Sequence, residues 1–322
     1  IYHMKFLSLL FLACLLQCSS MAQKISPADF RELRQKEDSL KAPAMRIIQG
    51  INPLDRFVAD STFTRIFMRA LKIKNSFYYP FDSLITISCL YAPDSSFRII
   101  TWQMLINDNI IRQHGAIQMR TADGSLMRYP LIDKSDVTQN MEDTVGNHFG
   151  WMGAVYYRII LKKYNNHSYY TLIGYDENNI RSNKKIIEVL DFVDGEPKFG
   201  GRFFSIPGSG IKPRNPSRYI MEFKKEASPR LNYDKDLDMI VIEHLISESN
   251  EPNKKYTLVG DGDYEGLKWI NGKWVHVSKI FNEVTPEGGA PVPNPLSADK
   301  DKTISEKKLS GEDETEQPEK KP

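Results

Sequence analysis

From Tyr78 onward the chain repeats one pattern, a short run of β-branched and aromatic residues followed by a cluster of turn formers, and this restricts the fold more than any other feature. Runs at 84–91 and 97–105 flank Ala92-Pro93-Asp94-Ser95-Ser96, and runs at 115–121 and 126–131 flank Ala122-Asp123-Gly124-Ser125, whose Asp-Gly pair signals a hairpin. Runs at 156–163 and 169–175 flank a turn at 164–168, and those at 186–192 and 198–205 flank Val193-Asp194-Gly195-Glu196-Pro197. Further runs fall at 219–225, 239–244, 256–259, 267–270 and 273–278, the last two joined by Asn271-Gly272. Strands this short and close pair as hairpins, because a parallel pair needs a crossover of about a dozen residues or more, usually helical. After Lys72 only the mixed stretch 133–146 is long enough to be such a crossover, so a doubly wound α/β arrangement is disfavoured. The expectation is an α+β chain, predominantly antiparallel β-sheet with one or two N-terminal amphipathic helices, with an all-β body as the alternative. Sandwich, barrel and propeller stay open, although the hairpins share no clean period.

Two amphipathic stretches precede the strands. Pro27 opens the first, which is expected to run to about Lys41 with Phe30, Leu33 and Leu40 on one face and to end at Pro43. The second is expected over 61–72, with Phe63, Ile66, Phe67 and Ala70/Leu71 on one side. Both faces are weakly apolar and need a larger surface to pack on. The globular region is expected over 23–284, as one domain or as two divided near the polar stretch 133–148.

The two ends read differently. Met4, Lys5 and the apolar run 6–16, followed by Ser20-Met21-Ala22, have the form of an export signal at 4–22 cleaved after Ala22. The run is too short to span a bilayer, so no transmembrane span is expected once it is removed. Cys14 and Cys18 raise lipid anchoring as a lesser reading, because Gln17 before Cys18 fits a lipoprotein site badly and a cut at Cys14 leaves a very short apolar run. Without the signal only Cys89 remains, which rules out an intrachain disulfide framework and a Cys-rich metal site. Its economical reading is a small buried residue in a strand. At the other end, 285–322 passes from Pro and Gly into alternating Lys, Glu and Asp, a composition that buries too little to offset its ordering entropy, and is expected to be a disordered tail. That mixed charge, with a formal +2 for the whole chain, makes no electrostatic case for nucleic acid.

Motifs with chemical content are few. Phe199-Gly200-Gly201-Arg202 and Pro207-Gly208-Ser209-Gly210 lack the strand–turn–helix setting of a nucleotide loop, so no nucleotide cofactor is expected. His114, His148, His167, His244 and His276 have no metal-ligand spacing, and His148, beside Phe149-Gly150-Trp151, is the best placed for a cleft. Asp261-Gly262-Asp263-Tyr264-Glu265-Gly266 is the most site-like local signal. Its carboxylates Asp261, Asp263 and Glu265 are candidate calcium ligands, although the full EF-hand pattern is absent and aspartates also favour plain turns. Trp102, Trp151, Trp269, Trp274 and the pairs Tyr156-Tyr157 and Tyr169-Tyr170 read first as sheet packing and second as a platform for sugar or peptide. No Gly-x-Ser-x-Gly elbow occurs, and Glu188, Asp191, Asp194, Glu222 and Glu243 are carboxylates on or near strands.

The signal, together with Phe97-Arg98-Ile99-Ile100-Thr101-Trp102, Lys185-Ile186-Ile187-Glu188-Val189-Leu190, Pro197-Lys198-Phe199-Gly200 and Asp261-Gly262-Asp263-Tyr264-Glu265-Gly266-Leu267, resembles an uncharacterised family of exported proteins of Bacteroidetes bacteria, over most of 60–280. The resemblance implies a Gram-negative periplasmic or outer-envelope setting and no mechanism. The leading expectation is a non-enzymatic secreted or periplasmic protein that binds an envelope protein or glycan; the alternative is a secreted hydrolase of glycans or peptides, calcium-dependent if the 261–265 loop holds an ion. Mass spectrometry of the chain recovered from the periplasm or medium of a Gram-negative host is expected to show Gln23 as the first residue. Retention of Met4 in that fraction would remove the export reading.

Overall fold

The computed structural model describes residues 25–107, 109–208 and 212–280; the expected signal and tail lie outside the described residues. Two helices open the fold. Helix α1 (Pro27–Gln49) is capped by Ser26, whose hydroxyl accepts from the Asp29 amide at 3.1 Å, and helix α2 (Pro53–Leu71) by Asn52, which accepts from Asp55 at 3.0 Å. Each has proline in its first turn, where an amide hydrogen would have no partner within the helix.

Both helices are longer than their sequence pattern suggests. Pro43 does not end α1: Leu33, Leu40, Ala44 and Ile47 form a buried stripe that continues past it, and this packing outweighs a missing amide and a ring clash worth about 3 kcal/mol. Helix α2 starts two turns before Ser61 because its early inward positions are polar. Buried Arg56 donates from Nε to the Leu105 carbonyl at 2.6 Å and from Nη1 to the Gly50 carbonyl at 2.7 Å, tying the interhelical turn to a strand. Buried Asp60 accepts from Trp102 Nε1 at 2.8 Å. No helix among the described residues is long and apolar enough to cross a membrane.

The strands form three sheets. The first contains β1 (Ser88–Tyr91), β2 (Phe97–Asn107), β3 (Ile110–Met119) and β4 (Met127–Ile132), in that order. The central sheet contains β5 (Gly146–Asn147), β6 (Val155–Tyr164), β7 (His167–Asp176), β8 (Ser182–Val193) and β9 (Glu196–Phe199), ordered β5-β9-β8-β7-β6, and β11 (Arg218–Lys224) pairs with β8 along 182–188. The third contains β10 (Phe204–Ser205), β12 (Leu231–Asp234), β13 (Met239–Ser247), β14 (Leu258–Ile270) and β15 (Lys273–Val277), ordered β10-β15-β14-β13-β12. Pairing is antiparallel except between β10 and β15. Asn165-Asn166, Asp194-Gly195 and Asn271-Gly272 each take positive φ at both positions, as two-residue hairpins of right-twisted strands require.

Chain order follows layer order, helix pair, first sheet, central sheet, third sheet, except that β10 reaches the third sheet before β11 returns to the central one. Alternation along each strand sends neighbours into different cores. In β2, Ile100, Trp102 and Met104 pack under Phe63 and Phe67, whereas Phe97 and Ile99 face the central sheet. In β8, Ile186 and Leu190 face the first sheet, whereas Ile187 and Val189 meet Ile240, Leu267 and Trp274 of the third.

Several expected segments resolve differently. Residues 133–146 hold one 3-10 turn, Ser135–Val137, rather than a crossover helix. The run at 198–205 splits between β9 and β10, because Gly200 and Gly201, with φ of 88° and 138°, carry the chain from the central to the third sheet. The run at 256–259 starts in a 3-10 turn, Lys255–Thr257; its end and the run at 267–270 are parts of one strand, β14, and the residues between them, read as a loop, belong to it. Strand β12 carries no sequence pattern that announces it.

Between the first and central sheets lies a charge pair with no exposed surface. Arg218 donates to Glu188 Oε2 from Nε at 3.1 Å and from Nη2 at 3.0 Å, and both side chains are fully buried. Arg218 Nη1 donates to the Met141 and Thr144 carbonyls, and Tyr156 donates to Glu188 Oε1 while accepting from Trp151 Nε1 at 2.7 Å. Removing one member of such a pair strands the other. Glu188→Ala is therefore expected to cost about 3–5 kcal/mol in urea unfolding, and an apolar replacement of both residues to restore most of it.

Candidate functional site

A bulge positions the side chain from which the candidate site is built. Between Tyr156 and Arg158 the β6–β7 register shifts, leaving Tyr157 unpaired. Tyr156 turns inward to Glu188, while Tyr157 donates its hydroxyl to the carbonyl of Leu231, the first residue of β12, at 2.8 Å. Cross-strand pairs Tyr175–Lys185 and Asn183–Phe223 bring four more side chains into the same wall of the central sheet. The segment Ala227–Asn232 lines the other side of a cleft of ≈ 740 Å³.

Charge in this cleft has one sign. Lys185, Lys225 and Arg230 line it, and no carboxylate does. Lys185 donates to the Pro229 carbonyl at 2.6 Å and lies 5.9 Å from the centre of the Phe223 ring; burial pulls its pKa below the usual lysine range, against the opposing pull of Glu243. Lys225 donates to the Glu177 carbonyl at 3.0 Å and its carboxylate at 3.3 Å, and Glu243 accepts from the Arg230 amide at 2.6 Å, so two carboxylates act from outside the lining. Asn183, only 5% exposed, donates from Nδ2 to the Lys225 carbonyl at 2.8 Å, and its Oδ1 has no hydrogen-bond partner. Burial, with help from Glu177 and Asp176, pushes the Tyr175 phenol up to about 12.

The candidate calcium ligands lie elsewhere, on β14. Asp261 accepts from the Asp263 amide at 3.0 Å and meets His244 Nδ1 at 2.6 Å, and Glu265 meets His276 Nε2 at 2.7 Å. The strand bulges at this point, three residues (261–263) standing opposite His244 alone. Asp261, Asp263 and Glu265 do not form a metal-holding group, and among the described residues no cluster of three or more His, Cys, Asp or Glu does.

Every histidine singled out above faces a different carboxylate. His114 lies 3.7 Å from Asp60, His148 3.4 Å from Glu196 and His167 2.5 Å from Asp191, in addition to the two pairs on β14. His148 is buried against the Pro130 carbonyl at 3.2 Å; its partner Glu196, rather than the ring itself, lines a second cleft of ≈ 530 Å³ with Lys134, Asn147 and Lys198. A third cleft, ≈ 350 Å³, gathers Glu142, Glu222, Glu243 and Glu265, each already bonded: to Arg214, to Ser182 and Asn178, to the Arg230 amide and to His276. Cys89 is half-buried on β1 with its thiol pKa raised by burial, and Trp151 and Trp274 have no exposed surface.

Of the residues that build the basic cleft, the sequence pattern singled out only Tyr157, as half of an aromatic pair in a strand. Lys185, Lys225 and Arg230 carry no motif; they converge through β8–β11 pairing and the return of the chain at Pro229. No protein-family model, curated protein or solved structure matches the chain.

Burial raises the Asp261 pKa, but the His244 hydrogen bond and the Asp263 amide outweigh it and hold the carboxyl below the usual aspartate range. A depressed carboxyl contributes stability that is present above its unfolded pKa, about 3.9, and lost as pH falls through the lower folded value. His244→Ala is expected to return the Asp261 carboxyl toward its ordinary pKa in an NMR titration. An unchanged titration would show that His244 does not hold it.

Proposed function

We propose that this chain is an exported, non-enzymatic binding protein of the bacterial envelope, and that the basic cleft between the central sheet and Ala227–Asn232 takes its ligand. The observation that carries this reading is the cleft's construction. Tyr175, Lys185, Asn183 and Phe223 stand on paired strands, and Tyr157 and Lys185 are each fixed by a backbone carbonyl, at 2.8 and 2.6 Å. Groups held this way lose little freedom when a ligand arrives, which is how a preformed pocket gains affinity. Catalysis by hydrolysis would need an acid and a base converging on one substrate atom. The five histidine–carboxylate pairs are five separate contacts, which supports binding over hydrolysis.

The test is an array of envelope glycans and peptides probed with the mature chain, followed by titration of the best ligand against Tyr157→Ala. Losing the ring is expected to weaken binding about 5- to 10-fold, equivalent to roughly 1–1.4 kcal/mol. Release of products from any array component, abolished by substituting a carboxylate of the ≈ 350 Å³ cleft, would replace this reading with the hydrolase.

A further inference from the structure

We infer that the basic cleft takes an acidic sugar: a ligand whose carboxylate or phosphate lies against Lys185 and Arg230 and whose hydroxyls reach Asn183. This inference rests on reading the cleft as a ligand site and adds the chemistry of what enters it.

Three features narrow that chemistry. The first is charge. An ammonium has three donor positions, and Lys185 uses one, on the Pro229 carbonyl; Arg230 is exposed with its guanidinium turned to no carboxylate among the described residues. Lys225 adds positive potential but already shares Glu177. Donors without acceptors in a partly desolvated wall favour an anion.

The second feature is the opposite kind of group. Asn183 Oδ1 is a buried acceptor without a partner, and Asn232 lines the same cleft. A bare carboxylate or phosphate dianion has no hydrogen to give this acceptor, whereas a hydroxyl has. One ligand therefore needs both anionic groups and hydroxyl donors.

The third feature is the ring surface. Tyr157 and Tyr175 share the wall with the lysines above the buried Phe223, and aromatic faces pack well against the apolar faces of pyranose rings. The volume, ≈ 740 Å³, lies within the usual range for ligand clefts, about 300–1,000 Å³. A simple anion leaves the rings and Asn183 unused, and a neutral sugar leaves the cations unused. An acidic sugar uses all three.

Isothermal titration of the mature full chain tests this with four probes: tetragalacturonate, glucose 6-phosphate, neutral cellotetraose and inorganic phosphate. At least one of the acidic sugars is expected to bind about 10-fold tighter than either control, and to weaken as salt is raised from about 20 to 200 mM. Which of the two binds separates a carboxylate source from a phosphate source. Lys185→Gln and Arg230→Ala are each expected to lower affinity about 5-fold, and Asn183→Asp, which sets a negative charge beside the anion, by more. Lys41→Gln, an exposed cation on α1, is expected to change nothing. Thermal melting of each variant separates lost binding from lost folding, and Arg230, being exposed, leaves the core untouched.

Cellotetraose or phosphate bound as tightly as the acidic sugars overturns the inference and leaves a binding site standing. Acidic sugars bound equally by the Lys185, Arg230 and Lys41 variants place the site elsewhere. Absence of binding by every probe here and by every array component overturns both the inference and the reading on which it rests.

Discussion

The Glu188–Arg218 pair is the constraint on which the layering depends. Two opposite charges without exposed surface are tolerated only where every donor and acceptor is met, and here a tyrosine, a tryptophan and two carbonyls complete the set. The pair sets β11 against β8, since Arg218 and Glu188 are register partners. It also holds the irregular segment near Met141 and Thr144 against the central sheet. That segment joins the first sheet to the central one, so a single buried contact fixes how two layers meet. Burial and two carboxylate-side interactions push the Tyr156 phenol far above its usual range, which keeps it a proton donor to Glu188.

A second buried arginine solves the same problem without a carboxylate. Arg98 has no exposed surface and donates to the Tyr79 and Ser76 carbonyls at 2.6 and 3.0 Å and to Gln118 Oε1 at 2.9 Å. The ring centre of Phe81 lies 5.3 Å away, and those of Tyr91 and Phe77 a little farther. The charge is spread over carbonyl dipoles and aromatic faces rather than neutralised. Its carbonyl partners, Ser76 and Tyr79, lie between α2 and β1, so Arg98 fastens the turn from helices into sheet as Arg218 fastens sheet to sheet.

The central sheet is therefore covered on both faces, and the candidate cleft forms where that cover is incomplete. Strand β12 is only four residues long and meets β6 near Tyr157, leaving the adjoining wall of β7, β8 and β11 open to the 227–232 segment. Cations can stand there because one side of the wall is wet, while the strands beneath them are fixed. The same β bulge that turns Tyr156 into the buried network turns Tyr157 out to this opening. Stability and the proposed ligand contact thus share one backbone irregularity.

Antiparallel sheet was legible because hairpin turns and strand runs are local: Asn271-Gly272 and Asp194-Gly195 carry their positive φ in their own residue types. Helix ends were less legible, since Pro43 and the polar early turns of α2 are overridden by burial against strands far along the chain. The acidic stretch around Asp261 looked like a loop because glycine and aspartate disfavour strands, yet pairing of 258–260 and 264–268 with β13 before and after it keeps it within β14 as a bulge. By itself the sequence determined the fold class, the order of the hairpins and the helix pair, all set by periodicity and turn chemistry over a few neighbouring residues. Only the tertiary structure decided the three-sheet stacking, the partner of each buried charge and the meeting of Tyr157, Lys185 and Arg230. Those depend on contacts between residues tens of positions apart, and no local pattern encodes which distant side chain will share a wall.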